Sequence, residues 1–357
     1  MPCDEYFRYN TTNERTRHMD NTSTHTEAQV HDFSSVRFAD IDAKRAYSAA
    51  KKLTDRVETV IIGKHREVKL LVSALLAGAH VLIEDVPGVG KTTLAAALAS
   101  SAGLEFRRAQ FTPDLTASDI TGFNIYNRAA EKFEFTPGLV MTNILLADEI
   151  NRASPKTQSA LLEAMQEGRV TVDGKTYDLP EPFMVIATQN PSGFVGTYPL
   201  PEAQLDRFGI KLTMGYPTPE QEVRIVAQSH DGDVTREVTP VISTALLSFL
   251  RALVTDVRVD EEIYRYIVAL VSATRTHSAV SLGASPRASI ALKGLTQAYA
   301  FMNSRDYALP EDVYEIFKAC VGHRLILKQD ARLRGITSDA VIDDVLRTVK
   351  IPYKGKR

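Results

Sequence analysis

The chain has 357 residues, more than one compact domain usually needs, and its 44% hydrophobic and 24% charged content is that of a soluble globular protein. Its 42 basic and 44 acidic residues leave a formal net charge of -2, so the bulk electrostatics demand no polyanionic partner and no nucleic acid is expected. Two isolated cysteines, Cys3 and Cys320, make neither a disulfide framework nor a zinc pattern, and a reduced, cytoplasmic setting fits them.

Residues 1–40 are polar, without a sustained apolar period, and read as a disordered arm with no secretory leader. His18, His25 and His31 lie too far apart in it to argue for a metal. Helical periodicity starts near Asp42 and runs, with a break at Gly63, to Leu76. The longest apolar window, 70–83, is interrupted and too short to span a bilayer, so no membrane insertion is expected.

Short apolar runs then alternate with helical patterns, the signature of a parallel sheet covered by helices. The five candidate strands are 80–84, 105–109, 143–147, 183–188 and 209–213. Two hairpins interrupt the alternation: 123–126 with 132–135, and 169–172 with 175–177 around the turn Asp173-Gly174. Beyond 216 the strands stop, and helical patterns follow at 219–229, 239–255, 260–277, 286–303 and 310–326. The chain therefore divides into an arm (1–40), an α/β domain (41–215), a smaller helical domain (216–352) and a basic tail (353–357).

Three motifs follow apolar runs. The first, Val86-Pro87-Gly88-Val89-Gly90-Lys91-Thr92, matches the end of a phosphate loop, with Asp85 in place of its first glycine. Glycines at 88 and 90 let backbone N–H groups turn onto phosphate oxygens, and the helix N-terminus adds positive potential. Pro87, Gly88, Val89, Gly90, Lys91, Thr92 and Thr93 form the candidate cradle, with Lys91 on the β- and γ-phosphates and the Thr92 hydroxyl on Mg²⁺. The second, 143–149, ends in Asp148 for the Mg²⁺ shell and Glu149 to polarise water. The third, 183–188, is followed by Gln189-Asn190-Pro191, where Asn190, or its rival Gln189, can bridge the γ-phosphate and the lytic water. Open parallel sheets bind ligands at the carboxyl ends of their strands, so the three motifs converge over one nucleotide.

These stretches, with Leu146-Ala147-Asp148-Glu149-Ile150-Asn151-Arg152-Ala153 and Pro201-Glu202-Ala203-Gln204-Leu205-Asp206-Arg207-Phe208, resemble the MoxR family of AAA+ ATPases over roughly residues 45–352. The stretches 111–114, 118–122 and 283–288 agree. The residues at 136–141 depart from the family's usual glycine-proline-aliphatic-phenylalanine stretch, without touching a hydrolytic group. The resemblance implies an AAA+ P-loop core with a five-stranded parallel sheet and a helical lid. It also implies ATP and Mg²⁺ as ligands, a hexameric ring, and protein clients that include von Willebrand factor A domain proteins. Arg207 resembles the arginine finger that reaches a neighbour's ATP, and Arg287 the nucleotide-binding second sensor that couples nucleotide to movement of the helical lid. Plainer readings are an Arg207–Asp206 pair and an exposed first-turn Arg287. Rival functions are a helicase-type nucleic-acid motor using Lys175, a magnesium-chelatase-like subunit, and a nucleotide-gated scaffold without turnover.

Overall fold

The computed structural model describes residues 43–189, 198, 200–228 and 238–352. Asn190, the arm and the basic tail lie outside these residues. The first two helices, α1 (Ala43–Val60) and α2 (His65–Ala77), precede the first strand, β1 (Val81–Glu84). The phosphate-loop residues follow, and then α3 (Lys91–Ala102), β2 (Phe106–Gln110), α4 (Ala117–Thr121) and the hairpin β3 (Gly122–Asn127) with β4 (Lys132–Pro137). Next come β5 (Ile144–Asp148), α5 (Pro155–Glu167), the hairpin β6 (Arg169–Val172) with β7 (Lys175–Asp178), β8 (Met184–Gln189), α6 (Glu202–Leu205) and β9 (Ile210–Leu212). Helices α7 (Pro219–Gln228), α8 (Thr244–Thr255) and α9 (Glu261–Thr276) lead to β10 (Val280–Leu282) and α10 (Pro286–Met302). The described chain closes with α11 (Pro310–Val321), β11 (Ile326–Leu327), α12 (Gln329–Leu333) and α13 (Ser338–Thr348).

The five strands at the expected places form one sheet in the order β2-β5-β8-β1-β9, every pair parallel. Side chains alternate across it. Val81, Ile83, Ile144, Leu146, Met184 and Ile186 face one apolar layer, while Leu82, Leu145, Ala147, Val185 and Ala187 face the other. Both faces are covered, which is why these strands are continuous apolar runs rather than alternating ones. The first layer continues from the sheet through α2 and α3 into α8–α11 and α13. Both hairpins pair antiparallel as read.

The helical region adds one feature that the sequence pattern does not signal, a short antiparallel pair of β10 with β11. Strands of three and two residues are too short to show a period. Gly283 follows β10 because a Cβ there would stand 2.6 Å from the backbone of Arg275.

Candidate functional site

Strand register brings the motifs to one edge. Ala147 of β5 pairs with Ala187 of β8, and Leu82 of β1 pairs with the same Ala187. One residue further along, Asp148, Thr188 and Ile83 lie side by side, and the segments holding Glu149, Gln189 and the phosphate loop leave the sheet together. Lys91 and Asp148, distant in sequence, therefore meet at the carboxyl end of three adjacent strands.

The loop after β1 has the backbone of an anion cradle. Gly88 and Gly90 both have φ +86°, in the left-handed region that favours glycine, and no atom lies within 4 Å of where a Cβ would stand on either. Gly90 caps α3, so the unbonded N–H groups of Lys91, Thr92 and Thr93 open the helix beside that space. The Lys91 Nζ donates to the Asp85 carbonyl at 2.8 Å. Burial pushes the Lys91 ammonium down from its usual value, opposed by the attraction of Asp85, Asp148 and Glu149.

Asp85 explains the departure from the generic glycine. Its Oδ1 accepts from the Val86 N–H at 2.8 Å, and its Oδ2 accepts from the Met214 and Gly215 N–H groups at 2.6 Å each. The start of the phosphate loop is thereby tied to the segment that leaves β9 for the helical region. Lys64 secures the same segment, donating to the carbonyls of Met214 and Tyr216.

At the end of β5, Asp148 is buried and doubly held. Thr188 donates its hydroxyl to Oδ1 at 2.6 Å, and Arg108 from β2 donates to Oδ2 at 2.7 and 3.2 Å. Glu149 lies at φ +55°, a conformation that bulky side chains adopt rarely and that marks strained functional turns. Its N–H donates to the Thr188 hydroxyl, while its Oε2 accepts from Gln110 at 3.0 Å and Arg152 at 2.9 Å. Gln189, the rival water-orienting amide, donates to Glu84 Oε1 at 3.3 Å. Arg108, Gln110 and Thr188 were not singled out in the sequence. The signal for the first two is weak: two polar side chains in i, i+2 register on the strand beside β5.

Divalent cation chemistry fits these residues. No group of three His, Cys, Asp or Glu side chains among the described residues forms a metal cage. Mg²⁺ characteristically takes one or two protein oxygens and completes its shell with phosphate and water. Asp148 and the Thr92 hydroxyl are such donors.

A second cluster lies apart. Arg207 and Arg287 line one cleft of about 520 Å³, together with Lys293, and no residue of the stretch 85–93 lines it. The pairing of Arg207 with Asp206 does not form. Asp206 instead receives Arg324 Nε on Oδ1 at 2.8 Å and the Ser285 hydroxyl on Oδ2 at 2.7 Å. Arg207 Nε is buried without a hydrogen-bond partner. Ser285 also caps α10, accepting the Arg287 N–H at 3.1 Å, so the exposed first-turn position of Arg287 stands, within a shared cationic cleft. Lys175 lies over its own hairpin's Tyr177 at 5.0 Å from the ring centroid.

Fold and site together define a phosphate-loop α/β nucleotide-binding protein with a helical lid. The ATPase family associated with various cellular activities matches residues 80–210, and the AAA lid domain matches residues 272–345. The chain is 50% identical to the uncharacterized protein YeaC of Bacillus subtilis, over 85% of this chain and 95% of that one. It is 42% identical to the chaperone MoxR1 of Mycobacterium tuberculosis, over 83% and 80% of the two chains. A crystal structure of a candidate ATPase from Cytophaga hutchinsonii superposes with a TM-score of 0.80 at 40% identity, covering 87% of this chain and 96% of that one. The chain belongs to the MoxR family of AAA+ ATPases.

Proposed function

We propose that this protein hydrolyses Mg-ATP at the interfaces between subunits of a hexameric ring and uses the cycle to remodel or activate client proteins in the cytoplasm. One observation carries the reading. Lys91, Asp148 and Glu149 gather at the sheet edge, whereas Arg207 and Arg287 line a separate cleft, and neither pairs with a carboxylate among the described residues. Asp206 lines that cleft too, with its two oxygens taken by Arg324 and Ser285. A neighbour's triphosphate would supply a further counter-charge.

In this mechanism the loop N–H groups and Lys91 hold the β- and γ-phosphates, and Thr92 and Asp148 hold the metal. Bound Mg²⁺ would neutralise charge on the phosphates. Arg108, which donates to Asp148 Oδ2, would yield that oxygen. Glu149, released from Arg152 and Gln110, accepts a proton from the attacking water, and Asn190 orients that water. Arg207, with Arg287 beside it, neutralises charge developing across the subunit boundary, an effect worth roughly 10³–10⁵ in rate for such fingers. The chain's similarity to the chaperone MoxR1 supports clients of protein nature; von Willebrand factor A domain proteins are the clients that the family resemblance implies. The units 41–215 and 216–352 act in this reading as engine and lid.

The test is phosphate release by assembled protein. Glu149→Gln should bind ATP and release phosphate at least 100-fold more slowly than wild type; equal release contradicts the assignment of the base. Arg207→Ala and Lys91→Ala should each be inactive, and mixing them should restore part of the activity through composite sites. Mixed rings that stay inactive while both variants still assemble refute action across the interface.

A further inference from the structure

The loop carrying Arg207 is anchored in its own domain by Phe208 and by the Gly209 N–H on the His80 carbonyl, and it is also gripped by the lid. Arg324 lies in a single helical turn after α11, with its side chain 3% exposed. A guanidinium has five N–H donors, and this one spends all five. They go to Asp206 Oδ1 at 2.8 Å, the Asp206 carbonyl at 3.2 Å, the Phe208 carbonyl at 2.7 Å, the Gly209 carbonyl at 3.3 Å and the Cys320 carbonyl of α11. Neighbouring His323 adds a contact to the Phe208 carbonyl at 3.0 Å. The backbone on both sides of Arg207 is therefore fastened to the lid. Asp206 Oδ2 takes the Ser285 hydroxyl, and that same hydroxyl caps the helix bearing Arg287.

We propose that Arg324 is a positioning residue for catalysis in trans, locking Arg207 of the α/β domain and Arg287 of the lid into one cationic unit through Asp206 and Ser285. The inference rests on Arg207 acting on a neighbour's ATP. Its physical basis is selective: a buried Arg324 could have been neutralised by any carboxylate, yet it takes the carboxylate and carbonyls that flank Arg207. Rotation of the lid then moves both arginines together, so a subunit's lid position sets hydrolysis in its neighbour.

Arg324→Lys keeps the charge and removes the fork, and Ser285→Ala removes the link between Asp206 and α10 together with the cap on the Arg287 N–H. Ser285→Ala should lower kcat about three- to tenfold, the weight of one positioning hydrogen bond. Its KM for ATP and ring mass should stay unchanged, and Ser285→Thr should recover most of the rate. Arg324→Lys should lose more, and mixing decides why. Its rings should regain activity when mixed with Lys91→Ala, which supplies an intact finger, and should stay inactive when mixed with Arg207→Ala. Restoration by Arg207→Ala, or a wild-type kcat in Ser285→Ala, overturns the proposal. An Arg324→Lys variant that does not fold leaves the Ser285 pair to decide. Failure of the finger reading itself would show separately, as Arg207→Ala that hydrolyses normally or is never restored by Lys91→Ala.

Discussion

Replacing Asp85 with glycine would restore the generic phosphate-loop pattern, and the structure says that it should damage the protein. The carboxylate accepts three backbone N–H groups, two of them on Met214 and Gly215 at 2.6 Å. Asp85 is 6% exposed and Met214 5%, so water replaces these contacts poorly. A hydrogen bond to a charged group contributes about 1.5–3 kcal/mol, which puts the two linker contacts at about 3–6 kcal/mol. Relief of the buried charge offsets part of this, while the added backbone freedom of glycine costs about 0.5–1 kcal/mol. A net loss of about 2–4 kcal/mol results. Lys91 keeps its partner, because that partner is the backbone carbonyl of residue 85. Urea unfolding at fixed protein concentration measures the loss, and a fluorescent ATP analogue titrated into folded variant reports whether the loop still binds. Asp85→Asn should lose less, since its one amide oxygen can still accept from Met214 and Gly215 while its N–H₂ meets only the Val86 N–H. An unchanged urea midpoint in Asp85→Gly would refute the argument that this carboxylate ties loop to linker.

Arg108 is half exposed and competes with metal for Asp148, so Arg108→Met should tighten Mn²⁺ binding to the ATP-loaded protein roughly two- to fivefold by titration; unchanged affinity removes the competition. His80 has both ring nitrogens engaged, Nδ1 accepting the Val185 N–H and Nε2 donating to the Met165 carbonyl, and desolvation holds its pKa down to about 4. The unfolded chain takes up that proton near the ordinary value of 6.5, so stability is complete above it and falls as pH drops toward 4. At pH 5 the loss reaches at most about 2 kcal/mol, reduced by the ring's partial contact with water, and His80→Gln should flatten the pH dependence of urea unfolding. Leu98, fully buried between α3 and the sheet, should cost about 2–5 kcal/mol as Leu98→Ala in the same assay.

The strands were legible because burial on both faces makes each an unbroken apolar run, and all five begin one residue later than the run does. The ladder instead extends into the polar ends, so Gln110, Asp148 and Gln189 are strand residues. The run records burial, whereas the hydrogen-bond ladder continues to the functional edge. Lys91, Asp148 and Glu149 were legible because each motif sits within one contiguous stretch. Arg108, Gln110 and Thr188 were not, since their roles depend on the order β2-β5-β8, which no local pattern encodes. Arg324 was less legible still, 118 residues from its carboxylate partner and outside every motif.

Strand β9 joins these findings. It is an edge strand of three residues, paired only to β1, the strand that delivers the phosphate loop. Its leading end is the loop 206–209 gripped by Arg324, and its trailing end is the Met214–Gly215 segment gripped by Asp85. Lys211 within it pairs with Glu84 at 2.8 Å, directly before Asp85. A displacement of the phosphate loop that pulls on Asp85 therefore acts on the lid linker and, through the lid, on the loop that carries Arg207. Each fastening alone could be read as local stabilisation. Placed at opposite ends of one short strand, they connect the phosphate loop to the loop carrying Arg207 through one run of contacts, the physical requirement for coupling the two in the proposed cycle.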